Sequence, residues 1–233
     1  MTKAMNVSKV PRRQQGASLL SLMAGLVVSL ISVLATLSIY QNISVVSADT
    51  KTSVVHDGQI PGSLLVAEKY VMNAGYGIVD AGVGDIKRVT TAGTSTTPAT
   101  ISLLWRYQES STVVCAGLRE SGITIGSDKY RTLRAIQAVS GCTLSADLTS
   151  LSWTNETAIL GQWPITPEVS TYLGSNDTLF DFQIAPLTCS PFGYGVPRDH
   201  LGVTISIPGV VELNRTITAG GNQAQLCLSN FYP

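Results

Sequence analysis

The longest apolar stretch in the chain runs from Ala17 to Tyr40 without a charged residue, and after Arg13 the next charge is Asp49. As a helix, its ~24 residues span about 36 Å at ~1.5 Å each, enough to cross a hydrocarbon core of ~30 Å. The polar positions within it are ordered. Ser18, Ser21, Gly25, Ser29, Ser32 and Thr36 follow one another at spacings of 3, 4, 4, 3 and 4, while Leu19, Leu22, Leu26, Leu30, Val33 and Leu37 take other positions. Such spacing puts the small and hydroxyl residues on one helical face. A face of this kind permits close helix–helix contact in a membrane or a helical bundle, each hydrogen bond adding only ~0.6 kcal/mol. It therefore reads as a packing surface; a plain anchor with incidental serines is the alternative.

Beyond Gln41 the pattern turns polar but keeps Ile43, Val46 and Val54, which predicts a helical extension to about Val55. Asp57-Gly58-Gln59-Ile60-Pro61-Gly62 predicts a break. A second helix follows from Gly62 to Ala74, with Leu64, Leu65, Val71 and Met72 on its apolar face and Gly75 and Gly77 ending it. Asp80 to Thr100, rich in Gly and Thr, reads as a loop. Thr100–Tyr107 and Ser111–Cys115 predict a hairpin about Glu109 and Ser110. Tyr130–Val139 fits strand or helix. Short strands are expected at Cys142–Leu144 and Leu148–Trp153, and irregular chain from Trp163 to Asp177. Leu179–Ile184 predicts a strand and Pro186–His200 a loop. Leu201–Ile207 with Val210–Ile217 predicts a hairpin across Pro208-Gly209, and Ala224–Leu228 a closing strand. The pattern as a whole predicts an α+β protein, with a long N-terminal transmembrane α-helix packed on an antiparallel β-sheet head domain. Residues 1–16 form a basic leader, 17–40 the membrane helix, 41–77 the helical extension and second helix, and 78–233 the β-rich head.

Charge sets the orientation of that layout. Lys3, Lys9, Arg12 and Arg13 precede the apolar run with no acid among them, which holds that side in the cytoplasm. Across 233 residues only 13% are charged and the net charge is zero. That balance lacks the basic stripe that nucleic-acid binding requires. The four cysteines, Cys115, Cys142, Cys189 and Cys227, are dispersed, with no CxxC pair and only two histidines in the chain. Zinc is disfavoured, no cofactor is indicated, and disulfides in an oxidising compartment are expected. Four cysteines allow three connectivities, of which sequential pairing, Cys115–Cys142 and Cys189–Cys227, is favoured because it closes the shorter loops; free buried thiols are the alternative. A Cys189–Cys227 bridge restricts the unfolded chain by ~4 kcal/mol in the loop-entropy account.

Little in the sequence points to catalysis. Asp199-His200 has no accompanying nucleophile motif, and His56 lies near the expected helix break. Asp80 and Asp85 with Gly82 and Gly84 lack the spacing of a calcium loop. Asn42, Asn155 and Asn214 begin glycosylation-type triplets that chance supplies freely. Trp105, Trp153 and Trp163 read as core or rim packing. No catalytic set and no metal site is expected.

The segment Gly16-Ala17-Ser18-Leu19-Leu20-Ser21-Leu22-Met23, after its short basic leader, resembles the prepilin processing site of type IV pilins and type II secretion pseudopilins. The continuation Ala24–Leu30 and Leu37–Tyr40 resembles PilW-type minor pilins in particular, and so does Met72-Asn73-Ala74-Gly75-Tyr76-Gly77. The resemblance implies the type IV pilin fold. It also implies cleavage between Gly16 and Ala17 by a prepilin peptidase, N-methylation of Ala17, and assembly with major and minor pilins through the Ser18–Thr36 face. The protein would begin in the inner membrane, head in the periplasm, and pass to the pilus. Two positions depart from the pattern. The first mature residue is Ala17 rather than a large apolar one, and the fifth is Ser21 rather than Glu. In the family that carboxylate neutralises a neighbouring subunit's terminal amine, and a serine cannot replace its charge. A tip or initiation position, with no neighbour ahead, is compatible with Ser21. A type II secretion pseudopilin, or an uncleaved membrane-anchored binding module or adhesin, are the competing expectations.

Overall fold

The computed structural model describes residues 19–94, 97–154, 158–165, 178–191, 196–207 and 222–231. The chain divides into two compact units, Met1–Lys51 and Thr52–Pro233. In the first, the described residues are helical and belong to α1, which spans Leu19–Val71.

The expected break at 57–62 does not occur: α1 continues through it with Pro61 inside. An interior proline costs ~3 kcal/mol. Against that, Ile60, Ala67 and Val71 are fully buried and Leu64 nearly so, at spacings of 4, 3 and 4. Each large apolar side chain so buried contributes ~1.5–3 kcal/mol, so the packed stripe outweighs the proline. Ser63, also buried, donates its Oγ to the carbonyls of Gln59 and Ile60, both at 2.9 Å. The helix stops at Val71 and the chain turns at Gly75 and Gly77, with φ of 71° and 72°. The Gly75 N–H donates to the Arg106 carbonyl (2.9 Å), and the Tyr76 carbonyl accepts from Gln108 N–H (2.7 Å). A Cβ on Gly75 would lie 2.7 Å from the ring of buried Phe231.

The strands form two antiparallel meanders rather than the single sheet the pattern suggested. The first orders β1 (Ile86–Thr91), β2 (Thr100–Glu109), β3 (Thr112–Ile125), β4 (Asp128–Gln137) and β5 (Ala158–Pro164). The second orders β6 (Asp181–Cys189), β7 (Arg198–Ile207) and β8 (Asn222–Leu228). The β2–β3 hairpin pairs Glu109 with Thr112 about Ser110 and Ser111, with Ser110 at φ 56°.

Several segments differ from their sequence reading. Residues 80–100, expected as a loop, contain β1. Only Ile86 is buried along that strand, so it lacks the alternation that marks a strand. Tyr130–Val139 is strand, not helix, as far as Gln137. The expected strands near 142–144 and 148–153 are turns with one isolated bridge, Ala138 to Trp153. β5 occupies part of the stretch left irregular. β6 continues through Pro186 to Cys189 where a loop was expected; as an edge strand of its sheet it tolerates a proline. The Pro208-Gly209 turn and Val210–Ile217 lie outside the described residues.

Most of the core is one cluster. Ile60, Leu64, Ala67 and Val71 of α1 pack with Ile101, Leu103, Trp105, Leu118 and Leu133 of the first sheet and Phe182, Val203, Ile205 and Leu226 of the second. A smaller cluster, Leu104, Cys115, Ile136 and Leu148, lies on the other face of the first sheet, beneath residues 138–154. Disulfides join Cys115 to Cys142 and Cys189 to Cys227. In β5, the fully buried Trp163 packs edge-on against Phe180, with centroids 5.0 Å apart, and its indole lies over Gly161, where any Cβ would overlap it. Gly161→Ala is therefore expected to destabilise the second unit by about 1–3 kcal/mol through overpacking. An unchanged urea midpoint would contradict this placement of the indole.

Candidate functional site

Residues 21–44 form a helix long and apolar enough to cross a membrane, with mean hydropathy 2.4 and none of the span buried. Leu19, Leu22, Met23, Leu26, Leu30, Leu34 and Leu37 are each more than half exposed. In water such a surface would be a large association liability; in lipid it is the solvated state.

On that surface Ser21, Gly25, Ser29, Ser32 and Thr36 are all exposed. Ser32 Oγ donates to the Val28 carbonyl at 2.9 Å and Thr36 Oγ1 to the Ser32 carbonyl at 2.8 Å. These hydroxyls satisfy themselves four residues back, as apolar surroundings require. A Cβ at Gly25 would meet nothing within 4 Å. The face thus carries no bulky group and suits close approach of another helix. Gly16, Ala17 and Ser18 lie outside the described residues.

The residues weighed for chemistry have structural duties. His200 is buried on β7, not in a surface loop, and its Nδ1 lies 3.2 Å from the Phe231 carbonyl oxygen. Its neighbour Asp199 accepts from Thr188 Oγ1 at 2.6 Å, and successive residues of a strand point their side chains to opposite faces. Asp85 accepts from the Gly82 N–H at 2.8 Å and lies 3.2 Å from Arg106 Nε. Among the described residues, no three His, Cys, Asp or Glu side chains group to hold a metal. Trp105 and Trp163 are buried, and Trp153 is half-buried with its Nε1 donating to the Leu148 carbonyl. The Asn155 and Asn214 triplets and the side chain of His56 lie outside what is described.

Two buried charged centres were not singled out from the sequence. Glu120 is fully buried on β3, on the face toward Leu103 and Leu133. Its Oε1 and Oε2 accept from the backbone N–H groups of Leu179 and Phe180, both at 2.8 Å, and Oε1 lies 3.2 Å from Arg131 Nε. Arg131 Nη1 donates in turn to the Ala99 carbonyl (2.7 Å). Burial pushes the Glu120 carboxyl up to about 7, against the pull of Arg131 and the two amides. Glu120 thereby ties the first sheet to the residues that open the second. The available signal was an acid on the inward phase of an alternating strand, two positions after Leu118.

The other centre is Arg106 on β2, 3% exposed, whose guanidinium reaches the backbone of residues 143–146. A cleft of about 680 Å3 opens nearby on the same sheet face, with Arg119 and Arg134 among its lining residues. No family model, curated protein or solved structure matches the chain.

Proposed function

We propose that the chain is a minor pilin, a structural or initiation subunit of a type IV pilus, anchored in the inner membrane by residues 21–44 with its Thr52–Pro233 unit in the periplasm. The observation that carries this reading is a membrane-length helix, small-faced on one side, placed directly after the processing-type sequence Arg12-Arg13-Gln14-Gln15-Gly16-Ala17. The exposed Ser21–Thr36 face supports assembly with other pilins, since a helix that leaves the bilayer to join a filament must exchange lipid contacts for helix contacts. The α+β layout with two disulfides is compatible with a pilin head. With Ser21 unable to neutralise a terminal amine, the subunit belongs at the tip or initiation end of the filament.

Intact-mass analysis of the protein recovered from cells tests this. The expected product begins at a methylated Ala17. A chain retaining Met1, with its basic leader, would overturn the reading in favour of an uncleaved anchored module. For the position in the filament, tagged protein is expected at pilus ends only; label distributed along the shaft would refute the tip assignment.

A further inference from the structure

Residues 138–154 cover Leu104, Cys115 and Ile136 on the outer face of the first sheet, and Leu148 packs down among them. The two ends of this segment are joined to each other and to β4. Val139 N–H donates to the Ser152 carbonyl and Thr154 N–H to the Gln137 carbonyl, both at 2.9 Å, beside the Ala138–Trp153 bridge. Between those ends, two attachments come up from the sheet. One is the Cys115–Cys142 disulfide. The other is Arg106, which donates to the carbonyls of Thr143 and Leu144 through Nη1 and to that of Ala146 through Nη2. Arg106 and Cys115 are register partners between β2 and β3, so their side chains leave the sheet side by side on one face. Arg106 thus stands opposite the buried half of the disulfide, while its guanidinium bonds the carbonyls that directly follow the other half.

That arrangement gives the bond a direction. Cys115 is 1% exposed, whereas Cys142 is half-buried in the turn, so an incoming thiolate reaches the Cys142 sulfur. The leaving sulfur is then Cys115, facing a cation. Nearby cations stabilise a thiolate, and a stabilised leaving thiolate speeds exchange. The new anion also competes for the guanidinium with the turn carbonyls, because bonds between two charged groups are the stronger ones. Asp85, 3.2 Å from Nε, keeps its own side of Arg106. The second disulfide differs. Cys189 and Cys227 lie on β6 and β8, both laddered to β7, so their thiols would stay in place to close again. Arg198, the register partner of Cys189, is exposed, where solvent and salt screen its charge. We propose that Cys115–Cys142 is a thiol–disulfide exchange site for a dithiol oxidoreductase, and that its reduction releases residues 143–146 from Arg106. The partner's thiolate attacks Cys142 Sγ, the S–S bond breaks, and its electron pair leaves on Cys115 Sγ. The partner's second thiol then attacks its own sulfur in the mixed disulfide and passes its proton to Cys142. The partner's dithiol is oxidised to a disulfide, and the Cys115–Cys142 bond is reduced by the same two electrons. Thr149, Leu151 and Trp153 of the released segment line the 680 Å3 cleft, so the redox state of this bond sets the shape of one of its walls. The inference stands whether or not the chain is a pilin.

The test needs no variant of this chain. The detergent-solubilised full chain is incubated with dithiothreitol, and aliquots are alkylated and mapped by mass spectrometry. Cys115 and Cys142 are expected to become alkylated at least about tenfold sooner than Cys189 and Cys227. Hydrogen exchange on the chain reduced at that one bond should rise at the Ala146 amide, which closes its turn onto the Thr143 carbonyl, while the amides of both sheets stay protected. A dithiol oxidoreductase whose resolving cysteine is replaced by serine should be trapped as a mixed disulfide on Cys142. Equal rates at the two bonds, earlier release of Cys189 and Cys227, or release of Cys115 and Cys142 only after the sheets have lost protection would each overturn the proposal. Trapping on Cys115 would overturn the direction of attack, and unchanged exchange at Ala146 after selective reduction would overturn the release of the turn.

Discussion

Above pH 7, where its carboxyl is ionised, Glu120→Ala is expected to destabilise the Thr52–Pro233 unit by about 3–5 kcal/mol, the range for removing one partner of a buried ion pair. The substitution leaves the Arg131 guanidinium, itself 5% exposed, without the carboxylate 3.2 Å away, and strips the Leu179 and Phe180 amides of their acceptor. It also opens a void beside Leu118 and Leu133. Urea unfolding of the detergent-solubilised chain, followed by far-ultraviolet circular dichroism, reads the loss as a lowered midpoint. Glu120→Gln keeps the volume and an acceptor oxygen, so it should cost less. A loss below ~1 kcal/mol for the alanine variant would contradict the clamp.

The same residue sets a pH dependence. Its folded-state pKa, about 7, lies above the ordinary value of 4.5. Between those values the folded state binds more protons than the unfolded one, so stability falls as pH rises. The contribution is fully present below about pH 4.5 and lost as pH passes through about 7. Unfolding midpoints taken across this window should decline toward neutral pH in the natural chain and lose that component in Glu120→Gln. Identical slopes in the two proteins would place the dependence elsewhere.

The contrast between legible and illegible parts follows from the range of the interactions involved. The apolar run from Ala17 to Tyr40, the glycines at 75 and 77 and the turn at Ser110 are local signals, and the structure places helix from Leu19 onward and turns at the other two. Sequential closure of the four cysteines likewise needs only chain length. Pro61 misled because a helix breaker acts locally, whereas the burial of Ile60, Leu64 and Val71 that overrides it depends on both sheets. β1 was missed because an edge strand with one buried residue shows no alternation, and the end of β5 because Trp163-Pro164 opens the stretch expected to be irregular. Glu120, Arg106 and the Arg119–Arg134 row were invisible for the same reason: their meaning lies in partners 11 or more residues away in sequence. The helix at 21–44, long and apolar enough to cross a membrane, by contrast needs no partner to be recognised.

Arg106→Ala is the second large effect expected, at about 3 kcal/mol, since hydrogen bonds to a charged group are worth ~1.5–3 kcal/mol each but do not add. Arg106 Nη1 donates to the carbonyls of Thr143 and Leu144, and Nη2 to that of Ala146 at 2.6 Å, while Nε lies 3.2 Å from Asp85 Oδ1. One buried fork thus organises a turn with no strand ladder of its own and pins it over Leu104, Cys115 and Ile136. The Cys115–Cys142 disulfide fixes only the start of that turn, so without the guanidinium the remainder opens locally while the sheet beneath persists. Hydrogen exchange should accordingly show loss of protection concentrated at 138–154, including the Ala146 and Ser150 amides that close its turns. Arg106→Lys retains the charge but lacks the planar fork, and is expected to rescue only part of the loss. Uniform loss across both sheets would contradict the local opening, and full rescue by lysine would mean that charge at this position, rather than the guanidinium's geometry, holds the turn.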